Sequence, residues 1–443
     1  MRSALVLSYY FPPIGGAGTQ RPTAFVRHLP RFGYEPAVVT GPGGAAGRWT
    51  PRDDTLLSAF PAGTDVHRLA NPEPAGSTGW RDRCERYVGL ETEWKSWWVE
   101  GSVATGSALR PDLVYAWMSP FESAPAASRL AADLGRPWIA DLGDPWALDE
   151  MMVYATGLHR RRAIREMRRG LASAAAIVMS TPEAVTRVRE AFAEFDDKHV
   201  VAIPNGFDRG DFQSAVPARR DGVFRIVHTG YFHTELGLRQ RRAAAARRIL
   251  GGTARGVDFL TRSHVYLLEA IESLLAREPA IEQRLEVHLA GVLSNVDREI
   301  AERSPVTRLH GYLAHPETLE LIRTADLLFL PMQNLPAGER AGIVPGKTYE
   351  YLAAGRPILG AVPDGDARDL LTEAGGARLC RPDDSAGIAS AIAAELARFD
   401  AGEAIAAPDP KVVDRYEYRH LASRLAEVFD QVLERDGRAR RAA

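Results

Sequence analysis

The densest concentration of usable chemistry is the stretch Ile343-Val344-Pro345-Gly346-Lys347-Thr348-Tyr349-Glu350. Pro345 and Gly346 open a helix whose first N–H groups point outward, and Lys347 sets a compact positive charge beside them, which together make a cradle for an anion. Glu350 follows one helical turn later, where a carboxylate can accept two hydroxyl hydrogen bonds of the kind a ribose offers. A surface i,i+3 ion pair is the competing reading. Lysine occurs only at 95, 198, 347 and 411, against a Lys+Arg total of 55, so a lysine inside a motif stands out.

Two further loops carry similar potential. His228-Thr229-Gly230 ends an apolar run, and Gly230 permits close approach of a ligand, while Arg262 ahead of a helical stretch either clamps a diphosphate bidentately or is a solvated helix-start residue. Near the N-terminus, Phe11 to Arg21 contains Gly15, Gly16 and Gly18 between a strand and a helix, either a tight turn or a place where backbone N–H groups meet a phosphate or sugar. Arg21 stands where a third glycine of a dinucleotide fingerprint belongs, which disfavours a nicotinamide dehydrogenase.

The elements around these loops follow an alternating pattern. Short β-rich runs at 4–8, 35–40, 113–118, 138–141, 176–180 and 199–203 alternate with helical segments, and a second series starts afresh at 224–228, 285–290, 307–310, 327–330, 357–361 and 377–380. Such alternation predicts an α/β chain with two doubly wound parallel-sheet domains, 1–210 and 217–412, joined by a Gly/Asp/Pro-rich linker at 205–222. A helix over 413–434 returns to the first domain, and the tail 435–443 frays. In such sheets ligands sit beyond the carboxyl ends of the strands, where all three loops fall.

The composition narrows the field. Basic and acidic residues nearly cancel, 55 against 57, so no nucleic-acid partner is indicated. Cys84 and Cys380 lie far apart and form no metal or disulfide pattern, which suits a reducing, cytoplasmic setting. The apolar run 171–179 is about half the roughly 20 residues a spanning helix needs. Arginine-rich stretches at 160–169 and 239–248 read as solvated helix faces, with peripheral membrane contact as the alternative. All eight tryptophans fall before residue 147. Trp94, Trp97 and Trp98 share one helix face, either packed in a core or stacking on an acceptor.

In order along the chain, Gly15-Gly16, Ile203-Pro204-Asn205-Gly206, His228-Thr229-Gly230, Ala290-Gly291, His310-Gly311-Tyr312, Ala325-Asp326 and Pro345-Gly346-Lys347 through Glu350 to Pro357 resemble glycosyltransferase family four. Asp141-Leu142-Gly143-Asp144-Pro145-Trp146 resembles a segment of its acceptor-side domain. The resemblance implies a GT-B fold, with an N-terminal acceptor domain and a C-terminal donor domain facing a cleft, and a retaining, metal-independent, hexosyltransferase-type enzyme that moves sugar from a nucleotide-diphosphate sugar to a hydroxyl acceptor. It implies no cofactor beyond that co-substrate. Glu350 would bind the donor ribose; Lys347, Gly230 and Arg262, with Gly15, Gly16, Pro345 and Gly346, would surround the donor; Tyr312 and Leu313 would flank the base through their backbone. The family often carries a glutamate separated by seven residues from the one at 350, and Gly342 stands there, with Glu339 three residues further out.

Departure of the diphosphate builds negative charge, which Lys347 and Arg262 would stabilise as catalytic cations. Asp144, or Asp141, would orient the acceptor hydroxyl, with Trp97 and Trp98 as acceptor contacts; an Asp-Pro turn without catalytic part is the alternative at Asp144. Asp364-Gly365-Asp366 reads as a turn, so no metal ligands are assigned. An epimerase on the same fold and a catalytically inactive nucleotide-sugar-binding module are the alternative functions.

Overall fold

A computed structural model of the chain describes residues 1–44, 51–70, 93–214, 219, 221–242, 250–252, 254 and 256–442. Trp49, Trp80, Cys84 and most of the second arginine-rich stretch lie outside the described residues.

The chain divides into two compact units. The first comprises 1–146, 164–205 and 418–443, the second 147–163 and 206–417. Compared with the division expected at 210–217, residues 147–163, which follow Trp146 in the first half of the chain, group with the second unit, as do 206–210 and 413–417.

The first unit is built on a sheet of β1 (Arg2–Leu7), β2 (Tyr34–Thr40), β3 (Asp65–Arg68), β4 (Leu113–Trp117), β5 (Trp138–Leu142), β6 (Ala176–Met179) and β7 (His199–Ala202), in the order β3-β2-β1-β4-β5-β6-β7. Every pairing is parallel. The fully buried runs of β4, β5 and β6 follow from helices covering both faces. β3 lacks the apolar run that marks the others: it is Asp-Val-His-Arg, paired only with β2 at the sheet edge, and an edge strand needs no two-sided burial. Periodicity therefore missed it.

The C-terminal helix spans Tyr418–Ala442 and belongs to this unit, its Leu421, Leu425 and Phe429 packing with Val6, Tyr115 and Ile139. The expected frayed tail is helical instead, with Glu434–Arg438 and Asp436–Arg440 forming i,i+4 ion pairs along its last turns.

The second unit repeats the architecture with β8 (Phe224–Thr229), β9 (Leu285–Ala290), β10 (Thr307–Gly311), β11 (Leu327–Pro331), β12 (Ile358–Ala361) and β13 (Ala377–Cys380), ordered β10-β9-β8-β11-β12-β13 and all parallel. Successive residues of one strand enter opposite cores. Val227, Leu328, Leu330 and Ile358 pack on one face, while Ile226, Leu327, Phe329 and Leu359 pack on the other, which is the period-2 alternation of a sheet covered twice. The strand order reverses between β1 and β4 in one sheet and between β8 and β11 in the other. Those reversals are where the loops diverge and leave room for a ligand. Among the described residues no helix is long and apolar enough to cross a membrane.

Candidate functional site

In the second unit the strand reversal is occupied by β8 and β11, and one side chain ties them together. His228, the penultimate residue of β8, places Nδ1 2.9 Å from the carbonyl oxygen of Phe329 in β11. A carbonyl only accepts, so Nδ1 carries the hydrogen and Nε2 is left as the acceptor in the neutral ring. Burial, reinforced by Lys347, pushes the imidazolium well below its ordinary range and keeps the ring neutral. Its ring stacks on Phe232 at 4.3 Å, and Phe232 stacks in turn on the buried His264 at 4.7 Å.

Lys347 begins the helix Lys347–Ala353 and places Nζ 3.2 Å from His228 Nε2. The same amine lies over Gly230: a β-carbon there would come within 2.6 Å of Nζ, and the backbone φ of +104° disfavours a side chain in any case. Gly291 is packed as closely, since a β-carbon would fall 2.2 Å from the Gly230 carbonyl oxygen. Two glycines at adjacent strand ends thus keep the floor beside the amine free of side chains.

Burial, then the nearby Arg262 guanidinium, lower the Lys347 ammonium to about 7 against the opposing pull of Glu350. Lys347, Arg262 and Glu350 therefore share one neighbourhood, as does Gly230 by contact. Arg262 is itself held, its Nη1 lying 2.9 Å from Met151 Sδ and 3.5 Å from Gln333 Oε1. Glu350 is mostly buried, with Oε1 4.0 Å from Nδ1 of His315, whose Nε2 lies 3.3 Å from Asp211 Oδ2. Tyr312, just beyond β10, is 39% exposed, and Leu313 is half-buried.

Gly342, separated from Glu350 by seven residues as in the family's spacing, is not without a carboxylate. Its amide donates to Glu150 Oε1 at 3.2 Å, and Gln333 Nε2 donates to the same oxygen at 2.8 Å. Glu150 comes from the 147–163 segment, 192 residues away in sequence, so no local pattern announced it. Gln333 and His315 were equally silent, being single polar residues in loops or at a helix start; His228 was visible as a motif letter but without a role.

In the first unit the glycine loop leads from β1 into the helix Ala17–His28. Gly16 caps that helix with φ +96°, and the Gly15 amide is used internally, donating to Pro51 O at 2.7 Å. Asp141 does not face an acceptor. It is fully buried, its two oxygens accept from Arg21 Nε at 2.9 Å and Nη2 at 3.0 Å, and Tyr115 donates its hydroxyl to the same carboxylate. Burial opposes the Arg21 charge and Asp141 more than restores it, raising the guanidinium further. Arg21 also donates to the carbonyls of Ile203 and Pro204, so the network pins the chain after β7.

Asp144, two residues beyond β5, is exposed. Trp98 is fully buried against Tyr9, with ring centroids 5.2 Å apart, so its indole is core and not an acceptor contact; Trp97 is half-buried beside it. Asp364 and Asp366 are engaged by Arg368 and Arg340, and among the described residues no group of three His, Cys, Asp or Glu is arranged to hold a metal ion.

Residues 15–206 match the family described as "Glycosyl transferase 4-like domain". No curated protein matches the sequence. Among solved structures, the chain is similar to sucrose-phosphate synthase from Thermosynechococcus elongatus, with TM-score 0.63 and 13% identity over 98% of this chain and 100% of that one. It is also similar to Anabaena HepE, solved in complex with UDP-glucose, with TM-score 0.58 and 15% identity over 97% and 100%. An Escherichia coli structure, described as trehalose-6-phosphate bound with UDP-2-fluoro glucose, gives TM-score 0.55 and 14% identity over 97% and 98%. The chain thus has the GT-B fold, and its residues 15–206 match a glycosyl transferase 4-like domain.

Proposed function

We propose that the protein is a retaining glycosyltransferase that takes a hexose from a nucleotide-diphosphate sugar and passes it to a hydroxyl acceptor, with no cofactor besides that co-substrate. The observation that carries this reading is the convergence of Lys347, Arg262 and Glu350 beside the bare backbone of Gly230 at the strand reversal of the second unit. A lysine and an arginine meet there where a diphosphate would lie, and a carboxylate one turn along suits the ribose hydroxyls. As the bond from sugar to diphosphate breaks, charge accumulates on the departing phosphate, and preorganised cations are worth more to that state than to the bound substrate. They perform the task a divalent ion performs elsewhere, so the reaction proceeds without metal. Tyr312 and Leu313 lie beyond β10, suited to flank the base, while Pro345 and Gly346 lead into the lysine helix.

Glu150 stands on the amide of Gly342 and, in this reading, supplies the carboxylate that the family carries at that position in its own side chain. Gly15 and Gly16 are assigned to donor binding, Asp144 to orienting the acceptor hydroxyl, and Trp97 to acceptor contact. UDP is the first nucleotide to try, since the HepE structure was solved with UDP-glucose. Incubation with UDP-glucose and an alcohol acceptor, followed by proton NMR of the anomeric region, tests the reading. An α-glucoside as first product supports it; a β-glucoside overturns retention, and an isomerised sugar nucleotide formed without acceptor identifies an epimerase.

A further inference from the structure

We propose that His228 is a positioning residue for Lys347: a neutral imidazole that accepts a hydrogen bond from the lysine nitrogen, holds it over Gly230, and makes its charging part of diphosphate binding. This rests on the donor-site reading above.

The geometry permits one arrangement of hydrogens in the resting site. Phe329 O fixes the hydrogen on Nδ1, so His228 presents a lone pair from Nε2 to Lys347 Nζ at 3.2 Å. The ring cannot swing away. It is 2% exposed, stacks on Phe232, and Phe232 is backed by His264, whose Nε2 lies 3.0 Å from the carbonyl oxygen of Asp297. A protonated His228 would point a second N–H at Lys347 Nζ and could be met only by an uncharged amine. The pair therefore carries at most one charge.

The groups facing this nitrogen are His228 from β8, Arg262 from the segment before the helix Val265–Arg277, and Glu350 from the lysine's own helix, with His264 behind the stack. Arg262 opposes a charge on Lys347 and Glu350 favours it; burial opposes it most. A diphosphate arriving over Gly230 brings negative charge against the amine and draws a proton onto it. With one N–H committed to His228, the remaining two are turned toward the ligand. The bond to His228 thus selects the rotamer in which the new charge meets the phosphates.

The test is calorimetric titration of the full chain with UDP in buffers of different ionisation enthalpy, which counts protons taken up on binding, from pH 6 to 9. The wild-type protein is expected to take up protons near pH 8 and to take up few near pH 6, where the amine is already charged. His228→Phe keeps the stack but removes the acceptor: UDP affinity should fall about tenfold, or about 1.4 kcal/mol, and the onset of uptake should move to lower pH. His228→Gln restores an acceptor near the Nε2 position and should recover most of both. A merely structural histidine would lower the melting temperature in both variants without moving proton uptake. UDP binding without proton uptake in the wild type, or an unchanged uptake profile in a folded His228→Phe protein, overturns the inference and leaves the donor site standing. Failure of UDP, GDP, ADP and TDP all to bind the folded wild type overturns both.

Discussion

Each unit holds a basic side chain beside its strand reversal, and the two are treated in opposite ways. Arg21 in the first unit is closed off by a bidentate carboxylate, a tyrosine on that same carboxylate and two carbonyl oxygens, so its donors are satisfied within the fold. Lys347 in the second unit leans on a neutral imidazole, has a like charge nearby in Arg262, and is lowered to about 7. A saturated buried ion pair has little left to offer a ligand, and its role is to hold chain segments together. An under-compensated one gains most when an anion arrives.

The sharpest way to break this contrast is to empty the Arg21 site. Asp141→Ala leaves a buried guanidinium without its carboxylate and should cost about 3–5 kcal/mol of stability, read from denaturant unfolding. UDP affinity should stay near wild type at temperatures where the variant is folded. An Asp141→Ala protein of normal stability would show that the network is not structural.

Next in size is the Lys347 site itself. Lys347→Ala should lower kcat by about 10²-fold or more, in the range seen when one preorganised charge-stabilising group is lost, and by more than Arg262→Ala does. Stability should respond in the opposite sense from the Arg21 site. Between pH 7 and the ordinary 10.5 the unfolded chain holds the lysine proton and the folded site does not, so this group makes the wild type gain stability as pH rises through that window. Comparing melting curves of wild type and Lys347→Met over pH 7–10 should show that gain diminished in the variant.

These two sites were not equally legible in the sequence. Lys347, Glu350 and Gly230 announced themselves because helix-start and strand-end signals are local, and a rare lysine in an arginine-rich chain carries information. The parallel architecture was legible for the same reason, each inner strand being a short apolar run. Asp141 misled because a strand-end aspartate before Gly143-Asp144 has the letters of an acceptor contact, while its partner Arg21 is 120 residues away. Glu150 on Gly342 and His315 between Glu350 and Asp211 depend on long-range placement that no spacing encodes. The short edge strand β3 escaped for a related reason, since pairing on one side leaves no periodic trace.

A smaller effect is expected one turn along the lysine helix. Glu350→Ala should weaken nucleotide-sugar binding by about 1.5–3 kcal/mol, typical of hydrogen bonds to a charged group, with the melting temperature of the free protein nearly unchanged. Titration calorimetry reads this directly, and full affinity in a folded variant would remove Glu350 from the donor site. The smallest expected effect is that of EDTA. Asp364 and Asp366 are paired with arginines, and the reading assigns charge stabilisation to Lys347 and Arg262, so turnover should survive chelation. Loss of activity restored by manganese or magnesium would return the two aspartates to the site.

The central claim is that the second unit holds a nucleoside diphosphate at Lys347 and Glu350, and thermal melting with UDP, GDP, ADP and TDP tests it most directly. At a hundred times its dissociation constant, a nucleotide that binds only the folded chain should add about 2.7 kcal/mol of apparent stability, and a Lys347→Ala, Glu350→Ala double variant should lose most of that gain. No stabilisation of the wild type by any of the four, or equal stabilisation of the folded double variant, would contradict it.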